Sequence, residues 1–495
     1  MKSKLFFCIY ILLTLSVNSC YKEKIILNSE PNHILELPLI LKINDKYCHF
    51  DNATKTLRYS IESMNTDNFE AHIEFQEQSE VYFNNKLLEN NTTNNLGVIK
   101  INDNYNITII TNQATLNLTL QFTSIPVVQI ITHDQIIDEP KTIARIIINY
   151  PEITKSPTIS YIGIEHRGGS SQSNVKKSFG FSFLNSLKID DVTLKSIFDL
   201  PPNTQWWLDA MYIDQARLRN KASFEIWNTI QGDDNYGINS SFVELYINNE
   251  HQGLYCANQL INSELLNLSS IDAVLYKAID WNGTKFDFYS KEISTSKYWD
   301  GWEQKFPDEN NRINWEPLFH LRNVVLNYSD DDFVSEITTV ININNFIDYY
   351  IFLNLISGWD NRGKNTFLAR RSKNDPLFII PWDLDGVLGR NWDSSQTGHT
   401  DILTNGLYDR LLLLNPGDFK NKLTNRWFYL RNNALSNSNL IEILEFNFSQ
   451  LNNSDIICLE NTIWGINLSL GEEQLYINEW LINRTGFLDQ YYMNL

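Results

Sequence analysis

Acidic residues stand at both ends of one short stretch of the chain, GWDNRGKNTFLARRSKNDPLFIIPWDLDG. Asp360 and Asn365 lie before and at the start of the run TFLARR, and Asp383 and Asp385 follow the run LFIIPW. Both runs are typical of strands, and the polar turn at 372–376 between them predicts a hairpin. We therefore expect three carboxylates and one amide to gather at one end of this hairpin.

The spacing of Asp383 and Asp385 predicts that their side chains point the same way, because they alternate directly after an apolar strand. Carboxylates this close repel each other unless a cation lies between them, and hard oxygen ligands suit Mg²⁺ or Mn²⁺. The stretch thus predicts a metal site among Asp360, Asn365, Asp383 and Asp385, with phosphate as a further ligand. In the alternative interpretation these residues only form turns or cap helices, since Asp385-Gly386 is an ordinary turn dipeptide.

A second group of residues that could bind a ligand is the turn at 168–171, Gly-Gly-Ser-Ser, which joins two predicted strands. Its backbone N–H groups and hydroxyls could face phosphate oxygens. In the following strand, KSFGFSF, Lys177 shares a face with three phenylalanines and is expected at the edge of a cleft, whereas Lys176 is expected to face solvent. The alternative is a plain connecting turn followed by a solvated lysine pair.

From Ile125 onward the chain resembles the CotH family, the atypical kinases named after a spore-coat protein. The similar segments occur in the family's order, and the RGxSS, KKS, GxY and WDxD set is specific in combination. They are IPVVQIIT, GIEHRGGSSQSNVKKSFGFSF, WWLDAMYIDQARLRNKASFEIW, FVELYINNEHQGLY, LYK, the opening stretch, RLLLLNPGDFKNKLTNRWFYLR and INEWLINRTGFLDQ.

The resemblance implies an α+β fold. Residues 125–495 would form an atypical protein-kinase-like bilobal domain, with a β-rich small lobe and a mostly helical large lobe. ATP would lie between the lobes as the cofactor, with Mg²⁺ or Mn²⁺. The residues implied on the nucleotide side are Arg167, Ser170, Ser171, Lys177, Lys277 and Trp382. Trp382 would stack on adenine, although a core tryptophan is the equal alternative.

The catalytic residues implied by the resemblance are Asp360, Asp383 and Lys177. Asp383 or Asp385 with Asn365 would hold the metal ion, since phosphoryl transfer depends on positioning and on neutralising charge. Asp360 would be either a further ligand or the base that accepts the proton of the acceptor hydroxyl.

The segment from Asp214 to Thr229 predicts a helix that Asp214 can cap. Within it, Arg217, Arg219 and Asn220 resemble the family's LRN element. One of the three is expected to contact phosphate or the acidic cluster, and surface ion pairing is the alternative for each.

The chain departs from the family after the GxY element. Relatives commonly carry Glu followed by Lys there, whereas this chain has Gln259 and Leu260. The loss of a charge predicts weakened or altered nucleotide binding and leaves a catalytically inactive relative as an alternative.

The chain has 495 residues, a formal net charge of −19 and a pI near 4.9. This length is sufficient for a large core in two or three domains. The strong negative charge argues against nucleic acid as a partner and favours solubility.

The amino terminus predicts export. Two lysines precede the apolar run LFFCIYILLTLSV, which is short for a membrane span and ends before Cys20. Residues 1–19 are therefore expected to be a lipoprotein signal peptide and Cys20 the lipidated first residue of the mature chain, with an ordinary cleaved signal as the alternative.

Residues 20–124 alternate short β-rich runs with Asn-rich turns, which predicts a small antiparallel sandwich. We expect Cys48, Cys256 and Cys458 to be buried free thiols, with at most one disulfide among them.

Two functions from different classes follow from these observations. The first is a surface-anchored kinase that transfers the ATP γ-phosphate to Ser or Thr of an envelope or extracellular protein. It would be attached to the bacterial envelope, at the outer membrane or cell surface, through its lipid alone. The second is a weak or inactive scaffold that binds glycan or envelope partners.

Overall fold

The computed structural model describes residues 40–62, 68–287, 290, 292–308 and 310–495, with the side chains of Ser170 and Asn282 left outside the description. The predicted signal peptide and Cys20 lie outside the described residues. The described ranges contain 22 strands and ten α-helices, which confirms the predicted mixed α+β class. Within them, none of the helices combines the length and apolar character that a membrane span requires.

The first ten strands form two sheets that share one apolar core. They are Lys42–Ile43 (β1), Lys46–Tyr47 (β2), His49–Asp51 (β3), Thr56–Ser60 (β4), Glu70–Glu74 (β5), Glu80–Phe83 (β6), Lys86–Leu87 (β7), Thr92–Asn95 (β8), Asn104–Ile110 (β9) and Thr115–Thr123 (β10). The sheet orders are β2-β1-β5-β8 and β3-β4-β10-β9-β6-β7. The pairing is antiparallel, as predicted, except that β4 and β10 run parallel, which their long separation along the chain permits.

The next seven strands close into a barrel in the order β11-β12-β13-β14-β15-β17-β16. They are Val127–Ile131 (β11), Thr142–Asn149 (β12), Thr158–Arg167 (β13), Ser178–Leu184 (β14), Gln205–Asp209 (β15), Ser240–Ile247 (β16) and Glu250–Gln259 (β17). Because side chains alternate along a strand, Phe179, Phe181 and Trp206 join the barrel core while Trp207 joins the larger core outside it.

The predicted hairpin of strands β16 and β17 is present. Asn248 and Asn249 connect the strands with φ values of +49° and +63°. Asparagine tolerates this left-handed backbone better than most residues, so the sequence favours the tight turn.

A five-stranded sheet follows in the order β19-β20-β18-β21-β22. Its strands are Val274–Ala278 (β18), Tyr298–Trp299 (β19), Trp302–Phe306 (β20), Thr366–Arg370 (β21) and Phe378–Pro381 (β22). The hairpin predicted from TFLARR and LFIIPW is confirmed, with Thr366 opposite Pro381. Strand β22 is buried throughout and lies at the sheet edge, where the amide of Asn345 bonds to both the N–H and the carbonyl of Ile379.

Helices form most of the rest of the chain. They are Arg219–Thr229 (α1), Asn282–Lys285 (α2), Glu316–Asn327 (α3), Asp330–Val340 (α4), Ile343–Ile356 (α5), Gly406–Leu414 (α6), Phe419–Arg431 (α7), Asn437–Asn452 (α8), Ile456–Trp464 (α9) and Leu470–Met493 (α10). The prediction that α1 begins at Asp214 is wrong by five residues. Asp214 still caps the helix, because its Oδ2 accepts from the N–H groups of Leu218 and Arg219 at 2.8 and 2.7 Å.

The three cysteines of the described chain are free thiols. Cys48 and Cys256 are buried as predicted, whereas Cys458 is exposed. Cys458 lies on α9, and the expectation of burial is wrong there because that part of the helix faces solvent.

A buried ion pair joins the first two sheets to the barrel. Arg58 on β4 donates from Nε and Nη2 to the two carboxylate oxygens of Glu244 on β16, at 2.9 and 3.0 Å. Both side chains are almost completely buried, and Asp455 before α9 contacts the same guanidinium. Burial raises the pKa of Glu244, but Arg58, together with His251 and Thr123, more than offsets this, so the pKa lies below its ordinary value.

We expect Glu244→Gln to lower the free energy of unfolding by about 3 kcal/mol, because it leaves Arg58 buried without its bidentate partner. Urea unfolding at pH 7 measures this. The control is Glu74→Gln, which breaks the more exposed Lys42–Glu74 pair and should cost less than about 1 kcal/mol. Similar losses in the two variants would contradict this account of the junction.

Candidate functional site

The predicted site residues meet where the barrel faces the end of the β21–β22 hairpin. Trp382 follows β22 and packs on Trp207 of β15, with ring centroids 5.3 Å apart. Arg167, at the end of β13, lies over both rings, with Cζ 5.7 and 5.8 Å from the centroids. Nζ of Lys277, on β18, is 5.8 Å from the Trp382 ring. Two cations therefore flank an aromatic pair directly before Asp383.

The backbone that carries the acidic pair has an unusual conformation. Asp383 has a φ of +56°, in the left-handed region that side chains other than glycine disfavour. On one side of it, the amide of Asn361 donates to the carbonyl of Trp382 at 2.7 Å. On the other side, the N–H of Leu384 donates to Oδ1 of Asn220 at 2.9 Å. These bonds hold Asp383 in its conformation from both neighbours.

Burial and like charges shift the pKa values of the acidic pair. Burial, and then Asp360, raise the pKa of Asp383, while Lys277 lowers it. The pKa of Asp385 lies well above its ordinary value, first through burial and then through the charge of Asp383. Within the described residues, neither carboxylate accepts a hydrogen bond. The pair would therefore be stabilised by a bound cation.

Lys277 and Arg167, the cations opposite the acidic pair, have lowered pKa values. Burial, followed by the charge of Arg167, lowers the pKa of Lys277 to about 8, and Asp383 raises it only in part. Burial also lowers the pKa of Arg167. Two partly buried cations on one surface favour an anion there.

Asp360 and Asn365 lie on the same side as the acidic pair. Asp360 begins a single 3-10 turn, Asp360–Arg362, and its Oδ2 is 3.3 Å from Nζ of Lys364. Asn365 has a φ of +55°, and its carbonyl accepts from the N–H of Trp382 at 3.1 Å. The structure thus brings together Arg167, Lys277, Trp382, Asp360, Asn365, Asp383 and Asp385.

The glycine-serine turn lies next to this group but has no contact with the carboxylates in the described part of the chain. Gly168 has a φ of +117°, and a Cβ on it would lie 2.0 Å from Oγ of Ser171, so the turn requires glycine there. Nζ of Lys177 donates to the carbonyl of Gln172 at 2.6 Å and closes the turn on itself. The side chain of Ser170 lies outside the described atoms.

The expectation that Lys176 faces solvent is wrong. The residue is 1% exposed, and its Nζ donates to Oε1 of Glu460 on α9 at 2.7 Å. Arg217 donates to the same oxygen at 3.1 Å. Burial lowers the pKa of Lys176 to about 8 despite the nearby Glu460. The sequence carries no sign of this partner, which lies 284 residues further along the chain.

Of the three residues that resemble the LRN element, Asn220 is the one that reaches the acidic cluster. Arg217 bonds to Glu460, and Arg219 bonds to Asp214 at 2.6 Å and Glu473 at 2.9 Å. The two arginines therefore connect helices, whereas the amide of Asn220 contacts the loop between the two aspartates.

Asp209 is a site residue that the sequence motifs do not include. It is 7% exposed and accepts from the N–H of Met211 at 2.9 Å and from Nδ2 of Asn220 at 3.2 Å. Burial, together with the charge of Asp383, raises its pKa to about 6. The one signal in the sequence is an acidic residue two positions after Trp207, on the same face of strand β15.

Gln259 forms hydrogen bonds to neighbouring loops and lies away from the acidic pair. It is fully buried, and its Oε1 accepts from the backbone and side chain of Asn239, both at 3.0 Å, while its Nε2 donates to the carbonyl of Pro201 at 2.8 Å. It pairs across the sheet with Trp206, whose side chain points into the barrel rather than toward Asp209. Leu260 is buried in the main core.

The donor set around Asp383 suits a small hard cation. Across the described ranges no three His, Cys, Asp or Glu side chains are arranged to hold a metal by themselves. Asp383 and Asp385, with the amide of Asn365, offer the oxygen donors that Mg²⁺ uses when a phosphate and water complete its shell. These residues fit Mg²⁺ held jointly with a phosphate.

The sequence comparisons define the class of protein. Residues 164–488 match the family described as CotH kinase protein. Because this match covers more than half of the chain, the protein belongs to the CotH kinase family, and the predicted resemblance is confirmed.

Two individual proteins are similar to the chain. The inner spore coat protein H of Bacillus subtilis is 23% identical over 237 residues, which are 46% of this chain and 59% of that protein's length. The crystal structure of the Helicobacter pylori proinflammatory kinase CtkA is 9% identical and covers 64% of this chain and 94% of its own, with a TM-score of 0.27. That score supports no conclusion about the shape of the fold.

We expect Asp209→Asn to weaken the pH dependence of stability. The raised pKa of Asp209, about 6 against an ordinary 3.8, means that the folded protein keeps this proton to higher pH than the unfolded chain. Through this group the free energy of unfolding falls as the pH rises from about 4 to about 6, by on the order of 3 kcal/mol. Urea unfolding at pH 4.5 and 6.5 in EDTA measures the fall. The control, Asp103→Asn at an exposed turn, should retain the whole slope.

We also expect amine acylation at pH 8 to modify Lys277 preferentially. With a pKa of about 8, half of this half-buried amine is neutral at pH 8, whereas a lysine with the ordinary pKa of about 10.4 is almost fully protonated. The comparison residue is Lys422, whose side chain is exposed. Lys176 has a similar pKa but is 1% exposed, so it should stay unmodified. Peptide mass spectrometry after a short pulse tests both points, and equal rates at Lys277 and Lys422 would contradict the assignment.

Proposed function

We propose that this protein is an atypical kinase that transfers the ATP γ-phosphate, with Mg²⁺, to Ser or Thr of an envelope or extracellular protein. The supporting observation is the pair of partly buried cations, Arg167 and Lys277, that lies opposite the carboxylates of Asp383 and Asp385, whose pKa values stay raised despite these cations. Membership of the CotH kinase family supports the same reaction.

In this proposal the barrel belongs to the small lobe and the helices from α3 onward to the large lobe, with ATP between them. Asp383 and Asp385 with Asn365 would hold Mg²⁺. When bound, the ion would neutralise phosphate charge, which phosphoryl transfer requires.

Arg167 and Lys277 would bind phosphate oxygens from the opposite side. Their lowered pKa values reflect a burial cost that an anion would offset, so both groups favour phosphate. Asp383 lies near both cations, and the phosphates would separate these opposite charges in the complex.

The turn at 168–173 would complete the phosphate side. It follows directly after Arg167, and Ser170, Ser171 and Lys177 are carried on it or next to it. For Lys177 the role requires that Nζ exchange its bond to the carbonyl of Gln172 for a phosphate oxygen.

The role of Trp382 on adenine stays a prediction. Its ring is 3% exposed and packs on Trp207 and Phe367, so adenine would have to displace one of these neighbours. Without that displacement, the ring forms the floor beneath Arg167 and Lys277.

Asp360 has two possible roles, as a further metal ligand or as the base for the acceptor hydroxyl. Its Oδ2 lies 3.3 Å from Nζ of Lys364, so in either role the carboxylate would act with this lysine beside it. The acceptor would be a protein at the bacterial envelope, which the kinase would reach through a lipid anchor on Cys20.

A scaffold that binds glycan or envelope partners without catalysis is the second candidate. The departure at Gln259 and Leu260 favours it, because this chain lacks the charges that relatives carry there. Within the described chain, the side chain of Gln259 bonds to Asn239 and to the carbonyl of Pro201. A glutamine at this position, where relatives have Glu, is therefore accommodated without a change at Asp383.

We expect the mature protein to bind ATP only with Mg²⁺ or Mn²⁺, and Asp383→Asn and Asp385→Asn each to weaken this binding at least tenfold. The reason is that each variant removes one carboxylate from the proposed cation site without changing its size. Isothermal titration with and without metal measures the affinity. The control is Asp393→Asn, which changes an exposed aspartate in the following loop. Absence of binding by the intact protein at millimolar ATP would overturn the kinase proposal in favour of the scaffold.

A further inference from the structure

Asn220 joins the barrel to the loop that carries the acidic pair. It is 3% exposed and lies in the first turn of α1. Its Oδ1 accepts from the N–H of Leu384 at 2.9 Å, and its Nδ2 donates to Oδ2 of Asp209 at 3.2 Å. One buried amide therefore contacts the residue between Asp383 and Asp385 and also the end of strand β15.

The orientation of this amide is fixed by its two partners. The N–H of Leu384 requires an acceptor and the carboxylate of Asp209 requires a donor, so a flipped Asn220 would lose both bonds. Asp209 is itself fixed, because it accepts from the N–H of Met211 at 2.9 Å. A continuous chain of hydrogen bonds thus runs from β15 to the loop.

The loop needs such support because Asp383 is left-handed, with a φ of +56°. A residue in a disfavoured conformation stays there only when its surroundings hold it. Asn361 holds the carbonyl of Trp382 before it, and Asn220 holds the N–H of Leu384 after it. Arg219, next to Asn220, donates to the carbonyl of Val387 at 3.0 Å and holds the far end of the loop.

We infer that Asn220 is a positioning residue: it fixes the backbone between Asp383 and Asp385 against Asp209 and so sets the geometry in which the two carboxylates take a divalent cation. The part of this inference that concerns the cation rests on the proposed function. The part that concerns the backbone does not.

Three variants separate this role from a general contribution to stability. Asn220→Ala removes both bonds. Asn220→Asp keeps an acceptor for the N–H of Leu384 but sets a carboxylate against Asp209. The double variant Asn220→Asp with Asp209→Asn exchanges donor and acceptor, so both bonds can form again with the total charge unchanged. The matched control is Asn228→Ala, on the same helix, which loses one bond to the carbonyl of Ile238.

The first measurement is hydrogen exchange at the Leu384 amide in the protein without ligand. We expect exchange at least tenfold faster in Asn220→Ala, recovery toward the original rate in the double variant, and no change in Asn228→Ala. Normal exchange at Leu384 in a folded Asn220→Ala protein would overturn the inference, whatever the protein's activity.

The second measurement is the affinity for Mn²⁺ in the presence of ATP, determined by electron paramagnetic resonance. We expect at least tenfold weaker binding in Asn220→Ala and in Asn220→Asp, with substantial recovery in the double variant. Unchanged Mn²⁺ affinity despite faster exchange at Leu384 would overturn the positioning role. If the unmodified protein takes no Mn²⁺ with ATP, the proposed function fails, and the exchange measurement alone decides the backbone part.

Discussion

Repulsion among closely grouped buried and half-buried carboxylates is the constraint on which this structure depends. Asp209, Asp360 and Asp383 each raise the pKa of at least one other carboxyl of this group, and all three raise that of Asp385, in addition to the effect of burial. Arg167 and Lys277 face them but are themselves shifted toward the neutral form. Each set of like charges is unfavourable alone, so the surrounding fold must hold both sets in place.

The support comes from polar side chains in positions where apolar ones are more usual. The first turn of α1 buries Arg219, Asn220 and Lys221, and Asp214 folds back to cap it. This turn holds the loop after β22 from one side, while Asn361 holds it from the other. A fully buried turn of charged and amide residues departs from ordinary helix patterning, and such departures concentrate at functional sites.

The sequence was informative wherever the signal was local. The β21–β22 hairpin, the Asn248-Asn249 turn and the grouping of Asp360, Asn365, Asp383 and Asp385 all follow from neighbouring residues and strand alternation. The family motifs added Arg167 and Lys277, which are distant in sequence.

Interactions between distant residues could not be predicted in this way. The sequence pattern places Lys176 in solvent because its partner Glu460 lies 284 residues further along the chain. Asp209 has no distinctive spacing in the sequence, since it is a single aspartate after two tryptophans. The start of α1 was misplaced since Asp214 caps the helix across an intervening turn, which the sequence pattern alone cannot show. The bond of Lys177 to Gln172 likewise depends on how the turn folds back.

The position of Glu460 late in the chain limits the order in which regions of the protein can fold during synthesis. It comes from α9 and lies between Lys176 before β14 and Arg217 before α1, all three being almost fully buried. Until that helix has been synthesised, these two cations lack the carboxylate that pairs with both of them, and burying them carries a large electrostatic cost. We therefore expect that a nascent chain ending before residue 460 cannot close this part of the barrel against its helices, and that the surface carrying Arg167 and Lys277 is completed only after α9 is present.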